Sequence, residues 1–452
     1  MKKSNREGVT AVIERYTRPE MGELWGELHT KRLWHKVECH GLRAKEQLSL
    51  AAPGSAAEAE QLEITTEIIQ AANEIETTTD HDLIAFVLAV TSRLSPLVKA
   101  FYHVGFTSYC IEDTALALKM VASLDVIERQ LQRLCDVLRF RAQEHRATSQ
   151  MGRTHGIHAE VITFGHKLLT WLDPVEDYLE ELPLVRKAVG VGKMSGAVGV
   201  YSVDPRIEQL ACESLELRRA RTSTQVIGRH IHVRYVSFLV RIANSLDRFA
   251  TEIRNLSRTE IGEVAEHKRR GAKGSSAMPG KSMLGNPIKD ENVSGLARTM
   301  RGQLIPAFEC EVLWHERTLE NSAPERIHLP DTTILVDFML QRFTDTLEKL
   351  EVYPEQMLRN INLTGGIIFA QRVMQALTET GMGRPEAYDL LEGIALQVRR
   401  GTFTTDAGQT FRQLVEARPE ITNRLDPAIL EACFDPATSI RFINDVFARF
   451  GL

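Results

Sequence analysis

The sequence predicts an all-α protein organised around a central bundle of long helices, and three observations carry that expectation. From Thr114 to Gln150 there is no glycine or proline. Within that run Leu116, Met120, Leu124, Ile127, Leu131, Leu134 and Leu138 recur at steps of three and four, one apolar stripe along a long helix. A second stripe, Tyr235, Leu239, Ile242, Leu246, Phe249, Ile253 and Leu256, alternates steps of four and three. That 3.5-residue period is the pattern by which helices pack into left-handed bundles. Strand-like alternation is scarce throughout. Helices this long with little around them suggest a bundle completed by other chains, although the same stripes would serve a bundle within one chain.

Composition narrows the function classes. A chain of 452 residues has room for two or three domains, and 43% hydrophobic with 25% charged residues is ordinary for a soluble globular protein. The net charge of −5 argues against general nucleic-acid binding, yet a local arginine cluster suffices for an anionic small molecule. The six cysteines are scattered without a CxxC pair, as expected of reduced thiols in a cytoplasmic protein. No apolar run approaches the ~18 residues of a membrane span. The histidines show no ligand spacing such as HExxH, so they give no sign of a metal site.

Taken in order, the chain opens on short helical segments. Arg15 and Tyr16 precede Pro19, which is placed to open a helix. An arginine fork beside a phenol suits a phosphate, and equally suits plain surface. His81 and Asp82 stand side by side in EIETTTDHDLIAF. After His103, the hydroxyls of Thr107 and Ser108 precede a helix, where they act as N-caps or receive a carboxylate together with free backbone N–H groups. Gln150 to Lys167 reads as a helical run interrupted by Gly152 and Gly156 around Thr154 and His155, a break that opens the imidazole to a cleft. The glycine-rich turn Lys193 to Pro205 reads as scaffold, and Gln225 in STQVIGRH is a lone amide.

The largest interruption is Gly271 to Asn292, with four glycines and two prolines between helical segments. It reads as a loop able to close over a ligand, and it carries Ser275, Ser276, Lys281, Asn286 and Glu291. A phosphate-binding P-loop is excluded. Gly274 to Ser282 reads G-x5-G-K-S, one residue too long, and GEVAEHKRR before it is charged and helix-like rather than a strand. Beyond the loop, Arg317, Ser322 and Arg326 form either a surface ion-pair group or an anion site.

These motifs carry a resemblance. GSSAMPGK, then NPI, a glutamate and GLAR, is similar to the signature loop of the fumarase/aspartase superfamily. ENVSGLAR, WHER and the following ER resemble, within it, the adenylosuccinate lyase family, as does GRTHG-x-HAE. LTGGIIFAQRVMQAL and FDPATSIRFIND extend the likeness to a small C-terminal domain. The resemblance implies a fumarase/aspartase-like three-domain fold, with an N-terminal domain at 1–115, a central bundle at 116–366 carrying the 271–292 loop, and a C-terminal domain at 367–452. It implies a homotetramer whose active sites are shared between subunits.

The implied chemistry is β-elimination of fumarate from a small N-succinyl substrate, a nucleotide such as adenylosuccinate. Ser275 is the implied base and His155 the acid. Lys281 and Asn286 would hold the carboxylate, and Glu291 would orient the acid. Arg15, Tyr16, Arg317, Ser322 and Arg326 would meet the nucleotide and its phosphate. His81, Asp82, His103, Thr107, Ser108, Thr154, Gln225 and Ser276 would contact the rest. The chain departs from the family pattern at Asp80, Tyr109, Cys110 and Thr318, and in the four residues between Lys281 and Asn286. Two other readings stay open: a paralogous C–N lyase for another N-substituted aspartate or amino acid, and a non-catalytic helical scaffold.

Overall fold

The long stripes become long helices because burying one apolar face is what holds an amphipathic segment in that form. The structure, a computed structural model, describes residues 13–269, 271–272, 276–278, 285–402 and 409–452. Pro19 takes the first position of a short helix, Pro19–Leu24 (α1), and Glu27–Gln47 (α2) follows. Thr66–Thr79 (α3) and Asp82–Thr91 (α4) pack along one another. Asp80 ends α3 in the left-handed region at φ +49°, a conformation Asp tolerates better than a bulkier residue would. His81 caps α4, its Nδ1 accepting the Ile84 N–H at 3.4 Å.

Ser108–Glu144 (α5) carries the first stripe, half-buried at Leu116 and buried at its other six positions. Phe164–Val189 (α6) is followed by His230–Leu256 (α7), on which all seven residues of the second stripe are buried. Ile288–Gly302 (α8) and Ser322–Glu348 (α9) come next, then Pro354–Asn362 (α10), Ala370–Glu379 (α11) and Arg384–Thr402 (α12). The all-α expectation holds for this framework. Among the described residues, no helix is long and apolar enough to cross a membrane.

One expectation is overturned. The segment around Thr154 and His155 is an antiparallel hairpin, Ser149–Thr154 (β1) with Ile157–Thr163 (β2), and not a broken helix. His155 and Gly156 form its two-residue turn with φ of +54° and +77°, the conformation whose twist suits a tight hairpin. At Gly152 the register shifts, and a Cβ there would lie 2.7 Å from the Glu160 carbonyl oxygen. The two glycines are a bulge and a turn residue, a role that helical periodicity does not reveal. Two shorter pairs are Val191–Gly192 (β3) parallel to Arg218–Arg219 (β4), and Val264–Ala265 (β5) antiparallel to Glu351–Val352 (β6).

The chain divides into two compact units. One comprises Met1–Arg133, Glu176–Arg248 and Asn292–Arg342, and its core gathers Trp34, Phe86, Ile111, Met194 and Ile207. The other comprises Leu134–Val175, Phe249–Glu291 and Phe343–Leu452. There Met151 and Val161 of the hairpin pack with Ile361 and Phe369, and the C-terminal helices bury Leu377, Ile394 and Phe411.

Candidate active site

In the first unit Arg317 is the hub. Its Nη1 donates to Gln225 Oε1 at 2.9 Å, and its guanidinium lies 4.1 Å from the centre of the Tyr109 ring. Gln225 donates from Nε2 to Thr107 Oγ1 at 3.5 Å. Its backbone is pinned as well, the carbonyl accepting Lys193 Nζ at 2.7 Å and the N–H donating to the Glu316 carbonyl. Lys193 is wholly buried, donates also to the Gly196 carbonyl at 3.2 Å, and lies 3.7 Å from Cys110 Sγ. An amide in an irregular segment is thereby held by a buried cation.

Behind this hub stands a second arginine with no exposure. Arg229 donates to Asp113 Oδ2 at 2.8 Å and to both oxygens of Glu325 at 2.9 and 3.1 Å. His232 Nδ1 lies 3.0 Å from Glu325 Oε1, and Asp113 also accepts the Ile227 N–H at 2.8 Å. Burial alone would push the Glu325 carboxyl up, but His232 and Arg229 outweigh it and hold it at about 2. Buried charges persist only when paired and hydrogen-bonded in this way, and the network ties the N-terminal ends of α5, α7 and α9 together.

Arg326 on α9 pairs with Asp82 Oδ2 at 2.6 Å and faces Glu112 Oε2 at 3.8 Å. Burial, then the charge of Asp82, pushes the Glu112 carboxyl up to about 7. Ser322 lies beside Tyr109. Tyr109, Glu112, Ser322 and Arg326 line a cavity of about 290 Å³, with Lys119 and Trp34 on its wall. Asp82, Thr107, Gln225, Arg317, Ser322 and Arg326 therefore share one region, and Ser108 opens α5 beside Thr107.

Other expected residues stand apart from that cluster. His103, at φ +60°, places Nδ1 2.5 Å from Oε1 of the buried Glu38. The Tyr16 hydroxyl accepts Asn292 Nδ2 at 3.4 Å and its ring packs edge-on against Phe338. Arg15 is exposed in the 3-10 turn Glu14–Tyr16. Tyr109, Glu112, Lys193 and Arg229 have positions in the site that no motif announced. Tyr109 alone left a trace, as an aromatic where the family has a small hydroxyl residue.

The second unit holds the rest. Thr154 and His155 sit at the exposed hairpin tip, and His155 makes no hydrogen bond to a described residue. The base of the hairpin is anchored: buried Glu263 accepts Arg153 at 2.6 Å, Gln150 at 2.7 Å and Asn360 at 2.7 Å. Asn286 and Glu291 line a cavity of about 640 Å³ with Arg254, Arg258 and Tyr353, and His155 is not on its wall. Glu291 lies in the first turn of α8, where a carboxylate complements the helix dipole. Ser276 is exposed, whereas Ser275 and Lys281 lie outside the described residues.

Comparison with known proteins places this arrangement. Residues 41–302 match the family model described as lyase, and residues 366–450 the one described as adenylosuccinate lyase C-terminus. Over 98% of this chain and 100% of the relative, the sequence is 43% identical to an adenylosuccinate lyase of Synechocystis sp.. It is 40% identical to an adenylosuccinate lyase of Bacillus subtilis, again over 98% of this chain and 100% of the relative. Among solved structures, a fumarate lyase from Mesorhizobium sp. BNC1 shares the fold at a TM-score of 0.85 and 22% identity, covering 97% of this chain and 99% of that one. A 3-carboxy-cis,cis-muconate lactonizing enzyme from Pseudomonas putida superposes at 0.84 with 27% identity, covering 96% of each chain.

Proposed function

The chain belongs to the adenylosuccinate lyase family of the fumarase/aspartase superfamily, and from that premise we propose that it releases fumarate from adenylosuccinate and the related succinyl-carboxamide nucleotide. It is a carbon–nitrogen lyase. The observation that carries the nucleotide reading is Arg317, half-buried, stacked on Tyr109 and steered by Gln225, with Ser322 and Arg326 nearby. A planar fork with donors to spare is suited to a phosphate, and a rigid amide beside it lowers the ordering cost of binding.

The elimination removes a weakly acidic proton from the carbon next to a carboxylate and drives negative charge onto that carboxylate. We assign Ser275 as the base and His155 as the acid that protonates the departing nitrogen. Loop N–H groups and Lys281 would stabilise the serine anion, and Lys281 with Asn286 would receive the growing charge. Arg15, Tyr16, His81, Asp82, His103, Thr107, Ser108, Thr154 and Ser276 complete the substrate contacts. One proton leaves and one is delivered, so the reaction balances without a cofactor.

The domains in this proposal are 1–115, 116–366 and 367–452, and the enzyme works in the cytoplasm as a homotetramer. The exposure of His155, and its absence from the wall that carries Asn286 and Glu291, supports a site completed by other copies of the chain. The test mixes inactive Ser275→Ala and His155→Ala proteins after verified subunit exchange. Recovery of fumarate release from adenylosuccinate is expected, and no recovery removes the shared site. The carboxylates Asp82 and Glu112 beside Arg326 favour a second reading, an N-succinyl substrate without phosphate. Faster turnover of succinyladenosine than of adenylosuccinate would select it.

A further inference from the structure

We propose that a basic cleft between the end of α6 and the start of α7 binds a polyphosphate-bearing anion, at a site separate from Arg317 and Arg326. Lys187, Arg218, Arg219, Arg221, His230 and Arg234 line a cavity of about 630 Å³, and none of its lining residues is a carboxylate. The chain as a whole is acidic, with a net charge of −5, so this is a local reversal of sign.

Among the described residues only Arg219 has an acidic partner there, Glu208 at 3.1 Å. Arg218 directs Nε and Nη2 to the Lys187 carbonyl at 3.0 and 2.5 Å, which joins two walls of the cleft and leaves Nη1 without a described partner. Lys187, Arg221, His230 and Arg234 make no side-chain hydrogen bond or ion pair with a described residue. Cations converging without a counter-ion repel one another and focus a positive potential into the space they enclose. A multiply charged anion relieves that repulsion. Arginine forks rather than lysines make up most of the set, which favours phosphate over a simple halide.

The cleft is also built rather than incidental. Arg218 and Arg219 form β4, whose backbone is fixed by Arg218 N–H to the Gly190 carbonyl at 3.0 Å and Ala220 N–H to the Gly192 carbonyl at 2.9 Å. Leu184, Ile227 and Ile231 add an apolar wall to the lining. The volume and the mixed basic and apolar lining suit a phosphorylated ligand of nucleotide size.

Calorimetric titration of the full-length protein with inorganic tripolyphosphate, and separately with ATP, tests the site. Saturable binding of tripolyphosphate is expected, weakening as sodium chloride is added. The pair Arg221→Glu and Arg234→Glu should lower the affinity at least about tenfold, since each arginine removed takes charge-assisted bonds with it. Arg221→Gln with Arg234→Gln, checked by circular dichroism, should lower it in the same direction and so separates lost binding from lost folding. Arg317→Ala should bind as the parent does. Tighter binding of ATP than of tripolyphosphate assigns a role to the apolar wall, and equal binding locates recognition in the phosphates alone. Absence of saturable binding, equal binding by the Arg221 and Arg234 variants, or loss of binding in Arg317→Ala overturns the proposal.

Discussion

Arg229 and His155 are treated in opposite ways by the same chain. Arg229 has no exposure, and its donors end on Asp113, Glu325 and the Ile227 carbonyl. His155 stands at a hairpin turn in a left-handed conformation, exposed and without a described hydrogen-bond partner. The region proposed to grip the substrate is braced by buried charge pairs. The group assigned to protonate the leaving nitrogen is held only through its backbone, by a hairpin anchored on Glu263. The contrast teaches that the side chains of the proposed binding region are fixed by partners within one chain, whereas the His155 imidazole has no such partner among the described residues.

The sharpest way to break the contrast is His155→Ala. Turnover should fall by about 10²–10⁴-fold, the usual share of a general acid, while the melting temperature stays unchanged. A drop in melting temperature alongside activity would make His155 structural and erase the distinction. Arg229→Met should do the reverse. It strands Asp113 without its cation and leaves Glu325 with His232 alone, and the loss should be about 3–5 kcal/mol in urea unfolding, with activity per folded molecule retained. A variant as stable as the parent would show that the buried network is not what braces the site.

Arg317→Ala probes the boundary between the two regimes. Removing a charge-assisted contact should raise KM by about 10–100-fold with a smaller change in kcat. A loss confined to kcat would move Arg317 from binding to chemistry. The smallest effect concerns pH. Glu112, pushed up to about 7 by burial and by Asp82, is neutral below that pH and leaves Arg326 with Asp82 as its close partner. Above it, a second carboxylate faces the guanidinium at 3.8 Å and opposes an incoming phosphate. KM should therefore rise a few-fold between pH 6 and 8, and Glu112→Gln should flatten the profile. A flat profile in the parent enzyme would show that Glu112 does not compete.

Much of this was legible in the residues. The stripes on α5 and α7 predicted buried faces, and Pro19 marked a helix start, because both are statements about neighbours three or four residues apart. The lyase family was legible too, since its motifs are contiguous. The hairpin was not, for Gly152 and Gly156 interrupt a helical pattern and a strand pattern alike until Glu160 is seen against Gly152. Nor did any local signal mark Lys193 beneath Gln225 or Glu38 behind His103.

By itself, then, the order of residues determined the helical class, the apolar faces and the family, all properties carried by short stretches of chain. Tertiary structure alone decided which charges meet. Arg229 finds Glu325 across 96 positions and Arg326 finds Asp82 across 244, and no periodicity reaches that far. The physical reason is that helix formation and turn preference are energies of adjacent residues, whereas pairing a buried charge depends on which surfaces folding brings within a few ångströms of each other.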